Sequence, residues 1–199
     1  MKIRLILASA SPRRAEILHN AGFTFDIFPA DVDETLLPNE RAEDYVRRLA
    51  AEKARVGMER LGRDAAPAIV IGADTTVVAN DQILGKPTSE EDARRMLRLL
   101  SGQTHEVLTG LSVMRSTDGH SASDVEITRV GFAALPESEM EDYLVSGEPF
   151  DKAGAYGIQG IGGRYVTRIE GCYFNVMGLP LSRLCSMLQT LGWKNETSG

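Results

Sequence analysis

The twelve residues from Ala68 to Ala79, AIVIGADTTVVA, carry a single charge, Asp74. Their β-branched content predicts a buried strand, and Gly72 marks a bend or a close backbone approach within it. A carboxylate in such a run is costly unless a cation, a hydrogen-bond network or a proton compensates it. Asp74 is therefore the strongest single candidate for chemistry. The alternative is a structural aspartate bonded to neighbouring backbone.

A second constraint lies near the start. Ile3 to Leu7 reads as a first strand, and it runs into Ala8-Ser9-Ala10-Ser11-Pro12-Arg13-Arg14. Ser11 suits an N-cap and Pro12 the first helical position, where its missing N–H is no loss. Ala15, Ile17, Leu18 and Ala21 supply an apolar helix face, and Gly22 a stop. Arg13 and Arg14 then stand in a first turn that already carries partial positive charge, where carboxylates belong. An external anion resolves the conflict: free N–H groups, Ser9, Ser11 and two guanidiniums converge on a phosphate. Two solvated arginines are the other reading.

Between these stretches, Phe23 to Pro29 alternates as a second strand, and it leads into Ala30-Asp31-Val32-Asp33-Glu34. Three carboxylates in four residues make a solvated loop or a divalent-cation corner. Asn39 can cap a helix running to about Leu61, with Ala42, Val46, Leu49 and Val56 as its apolar stripe. Lys53 falls inside that stripe, either snorkelling at the core edge or pairing with a negative group. Gln82 to Leu84 returns as a hairpin arm into Gly85-Lys86-Pro87, which is no P-loop, since Pro87 replaces the hydroxyl residue. That places Lys86 at the rigid end of a hairpin. Ser89 and Asp92 form a capping box for a helix from Glu90 to Leu100. Residues 104–116 and 120–133 form a long hairpin, Pro136 to Ser146 a helix, Tyr165 to Ile169 and Tyr173 to Met177 strands, and Pro180 to Leu191 a last helix. Five glycines in the ten residues from Gly154 to Gly163 predict a loop with close backbone approach, in which Tyr156 and Gln159 stand out. Tyr156 reads as core.

With 199 residues, 43% of them apolar and 25% charged, the chain suits one soluble globular domain, or one folded in two lobes. A net charge of −6 and a pI near 5.2 argue against a general nucleic-acid or membrane-surface binder; a local cationic pocket on an acidic body suits a small anion. Cys172 and Cys185 have no Cys-x-x-Cys spacing, and His19, His105 and His120 are scattered, so no zinc site or disulfide framework is visible. The opening MKIRLILASAS mimics a signal peptide, but Leu5 to Ala8 falls short of an apolar core of about 7–15 residues. The expectation is cytoplasmic, with a polar tail over 194–199.

Taken together, SASPRR, Asp31 to Glu34, Glu52-Lys53, Gly72-Ala73-Asp74-Thr75, Gly85-Lys86-Pro87 and DKAGAYGIQG resemble the Maf family of nucleoside triphosphate pyrophosphatases, in order from Leu5 to about Leu188. The resemblance implies an α/β fold: a long curved mixed sheet flanked by helices, a single domain over 1–193 with two lobes and a central cleft, and commonly a homodimer. It also implies hydrolysis of a nucleoside triphosphate to monophosphate and pyrophosphate with a divalent cation, Mg or Mn. On that pattern Ser9, Arg13, Arg14, Lys53 and Lys86 neutralise the triphosphate, Glu34 and Asp74 suit the metal, and Asp74 is the base that activates water. Which carboxylate holds metal and which takes the proton is left open. Arg13, Thr75 and Gln159 are similar to the branch acting on dTTP and UTP, whereas the branch acting on 7-methyl-GTP carries Trp, Gln and Glu there. Two other readings stand beside it: the same chemistry on another base, and a nucleotide-binding regulator of septum formation with little turnover.

Overall fold

Strand β1 (Arg4–Leu7) begins a computed structural model that describes residues 3–62 and 66–193. It is followed by α1 (Pro12–Asn20), β2 (Asp26–Ile27), α2 (Ala42–Leu61), β3 (Ala68–Ala79), β4 (Gln82–Leu84) and α3 (Glu90–Leu100). Next come β5 (Thr104–Arg115), β6 (Ser121–Phe132), α4 (Glu137–Val145), β7 (Val166–Glu170), α5 (Tyr173–Val176) and α6 (Leu181–Thr190). Among the described residues the strands form one seven-stranded mixed sheet in the order β2-β1-β3-β5-β6-β7, with β4 paired to β3. Strand β1 is parallel to both β2 and β3, whereas β3–β4 and β6–β7 are antiparallel. The expected α/β class with a mixed sheet is what the chain adopts. No described helix is long and apolar enough to cross a membrane.

The chain divides into two compact units. The first holds the described residues up to Asp74, Thr109–Glu126 and those from Gly178 onward; the second holds Thr75–Leu108 and Ile127–Met177. In the first unit β3 is buried from Ala68 to Asp74, as a strand flanked by others and covered by a helix must be. The helix is α2, and it lies unusually close. A Cβ on Gly72 would stand 2.1 Å from the Ala50 carbonyl oxygen and 2.6 Å from the Ala54 nitrogen, and one on Gly110 2.1 Å from the Val46 carbonyl oxygen. Only glycine fits either strand position. The buried face of α2 is Val46, Leu49, Ala50, Lys53, Ala54 and Gly57, so the stripe continues through small residues rather than through Val56.

Three local expectations need correction. Asn39 does not cap α2: it sits in a turn with φ 60°, and the helix starts three residues later after Arg41. The second strand shrinks to Asp26–Ile27, an edge pair on β1. Tyr173 to Met177 is not a strand. Gly171, at φ 129°, turns the chain into the short helix α5. Asn175 is buried there, donating to the Val107 carbonyl oxygen at 2.9 Å and to Thr128 Oγ1 at 3.0 Å. A buried amide that bonds neighbouring strands outweighs the strand preference of the apolar residues around it. The Ser89–Asp92 box is present, with the Asp92 N–H donating to Ser89 Oγ at 3.1 Å. The tail from Lys194 lies outside the described residues.

The second unit has its own core, built from Leu97, Leu100, Val130, Phe132, Tyr143, Tyr156 and Tyr165 among others. Tyr156 is core, as expected, and it brings His105 a partner that the sequence did not reveal: His105 Nε2 and Tyr156 Oη lie 2.8 Å apart. Nδ1 of the same ring is buried without a hydrogen-bond partner among the described residues. Burial pushes the His105 imidazole down to about 4, so it is neutral when folded. The unfolded chain therefore takes up the proton first, near 6.5. Stability is expected to fall as pH drops from about 6.5 to about 4, by about 3 kcal/mol in total. Urea midpoints across that window check this, and His105→Gln removes that part of the slope. An unchanged slope in the variant would show that His105 does not titrate on unfolding.

Candidate active site

The close packing of α2 on β3 sets the site. Side chains two apart on a strand share a face, so Asp74 points the same way as Gly72, toward α2. Ala50 and Ala54 press on Gly72, and Lys53, between them on the helix, meets Asp74. Lys53 Nζ donates to Asp74 Oδ1 at 2.6 Å and to Glu34 Oε1 at 2.6 Å. Lys53 and Asp74 are each 7% exposed, whereas the Glu34 side chain is 49% exposed. The inward lysine is thus a pairing lysine.

Ser9 and Arg14 complete the group. Past β1, the Ala8 N–H still pairs with Ile71, and buried Ser9 turns its hydroxyl toward α1. Ser9 Oγ accepts from the Ser11 N–H at 3.2 Å and from Arg14 Nη1 at 3.1 Å; Arg14 Nε donates to the Gly178 carbonyl oxygen at 2.8 Å. Ser11 is the N-cap residue of α1 but its side chain makes no capping bond; Ser9 supplies one instead. Burial lowers the Arg14 guanidinium's hold on its proton, and Asp74 and Glu34 raise it in part. An arginine in this setting stays charged. A helix N-terminus with a buried guanidinium beside it is suited to a phosphate.

Asp74 feels opposing influences. Burial is the largest and raises its carboxyl; Lys53 and Arg14 pull it down, Glu34 adds to the rise, and the result lies above the ordinary aspartate range. A carboxylate so placed holds a proton more readily than a solvated one, which suits a general base.

Glu34 stands on a loop without regular structure, and two α2 residues hold that loop. Tyr45 Oη donates to the Glu34 carbonyl oxygen at 2.9 Å. Arg48 grips Glu40 through Nε at 2.7 Å and Nη2 at 2.8 Å, and Nη2 also donates to the Thr35 carbonyl oxygen at 3.1 Å. Burial, then Asp74 and Glu34, push the Tyr45 phenol up to about 12, which keeps it a donor. Sequence reasoning missed both. The available signal was Tyr45, Arg48 and Glu52, spaced as one polar ridge beside Lys53.

The first unit thus gathers Ser9, Arg14, Glu34, Lys53 and Asp74, with Arg13 half-buried on the same helix turn. Thr75, Lys86 and Gln159 belong to the second unit. Thr75 is half-buried, next after Asp74 on β3, and Lys86 is exposed after β4. Its neighbour Gly85 accepts the Gly154 N–H at 3.1 Å, which ties the Lys86 turn to the glycine-rich segment. Gln159 is exposed on that segment. No group of three or more His, Cys, Asp or Glu side chains converges among the described residues. The donors available to a cation are therefore the two carboxylates, all oxygen, which fits a hard ion completed by substrate phosphates and water.

Residues 4–191 match the family described as Maf-like protein. A dTTP/UTP pyrophosphatase of Vibrio parahaemolyticus is 49% identical over 187 residues, 94% of this chain and 96% of that protein. One from Hahella chejuensis is 49% identical over 191 residues, 96% of this chain and 94% of the other. A solved HAM1 protein from Coxiella burnetii aligns with a TM-score of 0.45 and 16% identity over 68% of this chain and 75% of that one. The chain belongs to the Maf-like protein family.

Proposed function

We propose that this chain is a pyrophosphatase of dTTP and UTP, hydrolysing the anhydride between the α and β phosphates to give the monophosphate and pyrophosphate. The observation that carries the reading is identity near 49%, over almost the full length of both chains, to relatives bearing that activity in their names. The site chemistry supports it. Arg14, Ser9 and the α1 N-terminus bind and orient phosphate, with Arg13 and Lys86 adding charge. Asp74 accepts the proton of the attacking water. Lys53 holds the Asp74 and Glu34 carboxylates together. Glu34 and Asp74 would hold a Mg or Mn ion, which when bound neutralises charge on the phosphoryl oxygens. The motif resemblance extends the reading to a homodimer in the cytoplasm.

Gln159 and Thr75 take the pyrimidine side of this reading. Uracil and thymine present acceptor, donor and acceptor along one edge, and a neutral amide can both donate and accept against it. A carboxylate can only accept. Gln159→Glu is therefore expected to lower kcat/KM for dTTP and UTP by about tenfold or more, and unchanged kinetics would remove Gln159 from base recognition. The test of the whole reading is a nucleotide panel with Mn²⁺ in which pyrophosphate and single phosphate are followed separately. Pyrophosphate from dTTP and UTP, with 7-methyl-GTP inert, supports it. Single phosphate release, or saturable binding with no release, overturns it.

A further inference from the structure

The second unit contains a carboxylate that the reaction does not call for. Glu148 opens a short 3₁₀ turn, Glu148–Asp151, after α4. Its Oε2 accepts the Ile161 N–H at 2.8 Å, and its Oε1 accepts the Gly162 N–H at 3.1 Å and the Tyr143 hydroxyl at 2.8 Å. Tyr143 Oη in turn accepts the Gly157 N–H at 3.3 Å. The six residues from Gly157 to Gly162 are thus fastened at both ends to one carboxylate–phenol pair, and Gln159 stands between the fastenings, exposed.

The glycines of this segment answer to the same pair. A Cβ on Gly160 would lie 2.2 Å from Glu148 Oε2, and one on Gly162 2.5 Å from Tyr143 Oη. Gly157 is similarly closed off by the Lys152 side chain, at 2.5 Å, and Lys152 Nζ donates to the Glu148 carbonyl oxygen at 2.8 Å. Burial pushes the Glu148 carboxyl up, but the amides of Gly162 and Ile161, the Tyr143 hydroxyl and Lys152 together hold it below the usual range. It is ionised, and an ionised carboxylate is acceptor-only. That matches the donors around it.

We propose that Glu148 and Tyr143 are positioning residues for base selection, fixing the Gly157–Gly162 segment so that Gln159 meets the pyrimidine edge. This rests on the assignment of Gln159 to the base. Neither residue touches substrate in this scheme; each acts through the backbone that carries Gln159. Glu148→Gln puts an amide N–H₂ against N–H donors and releases one end of the segment. Tyr143→Phe is the milder variant, freeing Gly157 while leaving the ring in the core.

The experiment measures kcat/KM for UTP and CTP in wild type, E148Q, Y143F, Q159A and E148Q/Q159A. Hydrogen exchange of the 157–163 amides is followed in parallel. The expected result is a fall of about tenfold in the UTP over CTP ratio for E148Q, a smaller fall for Y143F, and faster exchange in the segment. In the Q159A background E148Q adds no further loss of selectivity, because the two act as one unit. A purely structural role predicts lower stability with the UTP over CTP ratio unchanged, and that outcome overturns the proposal. If E148Q does not fold, Y143F decides on the same ratio. Should Q159A itself leave the ratio unaltered, the base assignment fails and the proposal with it. Selectivity lost in Q159A but kept in both E148Q and Y143F refutes positioning alone.

Discussion

Asp74→Asn is expected to lower pyrophosphate release from dTTP and UTP by about 10²–10⁴-fold, mostly in kcat. Asparagine keeps the size of the side chain, and its Oδ1 can still accept from Lys53, so the packing of α2 on β3 has no reason to change. What is lost is the capacity to take a proton from water. The loss is large because Glu34, the other carboxylate that Lys53 holds, is half-exposed and already engaged by that ammonium. On the proposed assignment of phosphate to Ser9, Arg14 and the α1 N-terminus, KM should move less. Wild-type turnover in a folded variant would remove Asp74 from the role of base.

That prediction rests on a residue legible from sequence, for a physical reason. One charge in twelve otherwise uncharged residues is a local anomaly, and burial makes anomalies expensive. Lys53 in an apolar stripe and Arg14 in a helix first turn declare themselves in the same way. All three sit in the first unit, within one interacting group. Tyr45, Arg48, Tyr143 and Glu148 were not legible. Each is an ordinary polar residue at an ordinary position, and each acts by bonding backbone far along the chain or across a turn. No periodicity records which carbonyl a phenol will reach. The α5 segment failed differently: Tyr173 to Met177 reads as a short apolar strand, but Gly171 and the buried Asn175 amide impose a helical turn. The small residues Ala50, Ala54 and Gly57 escaped notice because apolar stripes are sought by large side chains, whereas here smallness lets the helix descend onto Gly72 at Ala50 and Ala54 and onto Ala8 and Val70 at Gly57.

Lys53 carries the second large effect, on stability. Replaced by Met, which keeps most of the aliphatic stem, it leaves the Asp74 carboxylate buried without its ammonium. Removing one partner of a buried pair costs about 3–5 kcal/mol. The contribution from Glu34 is small, because solvent screens a half-exposed carboxylate, so the penalty belongs mainly to Asp74. Arg14 still offsets part of the charge and Asp74 can take up a proton, which together place the expected loss at about 3 kcal/mol, read from urea or thermal unfolding. Adding Asp74→Asn to Lys53→Met removes the stranded charge. The double variant should regain more than about 1 kcal/mol relative to the sum of the singles, while pyrophosphate release stays at the level of Asp74→Asn alone. Stability that recovers without activity would mean that the pair is kept for chemistry rather than for folding. Strict additivity of the two losses would instead mean that Lys53 and Asp74 do not depend on one another, and the site described around their contact would have to be redrawn.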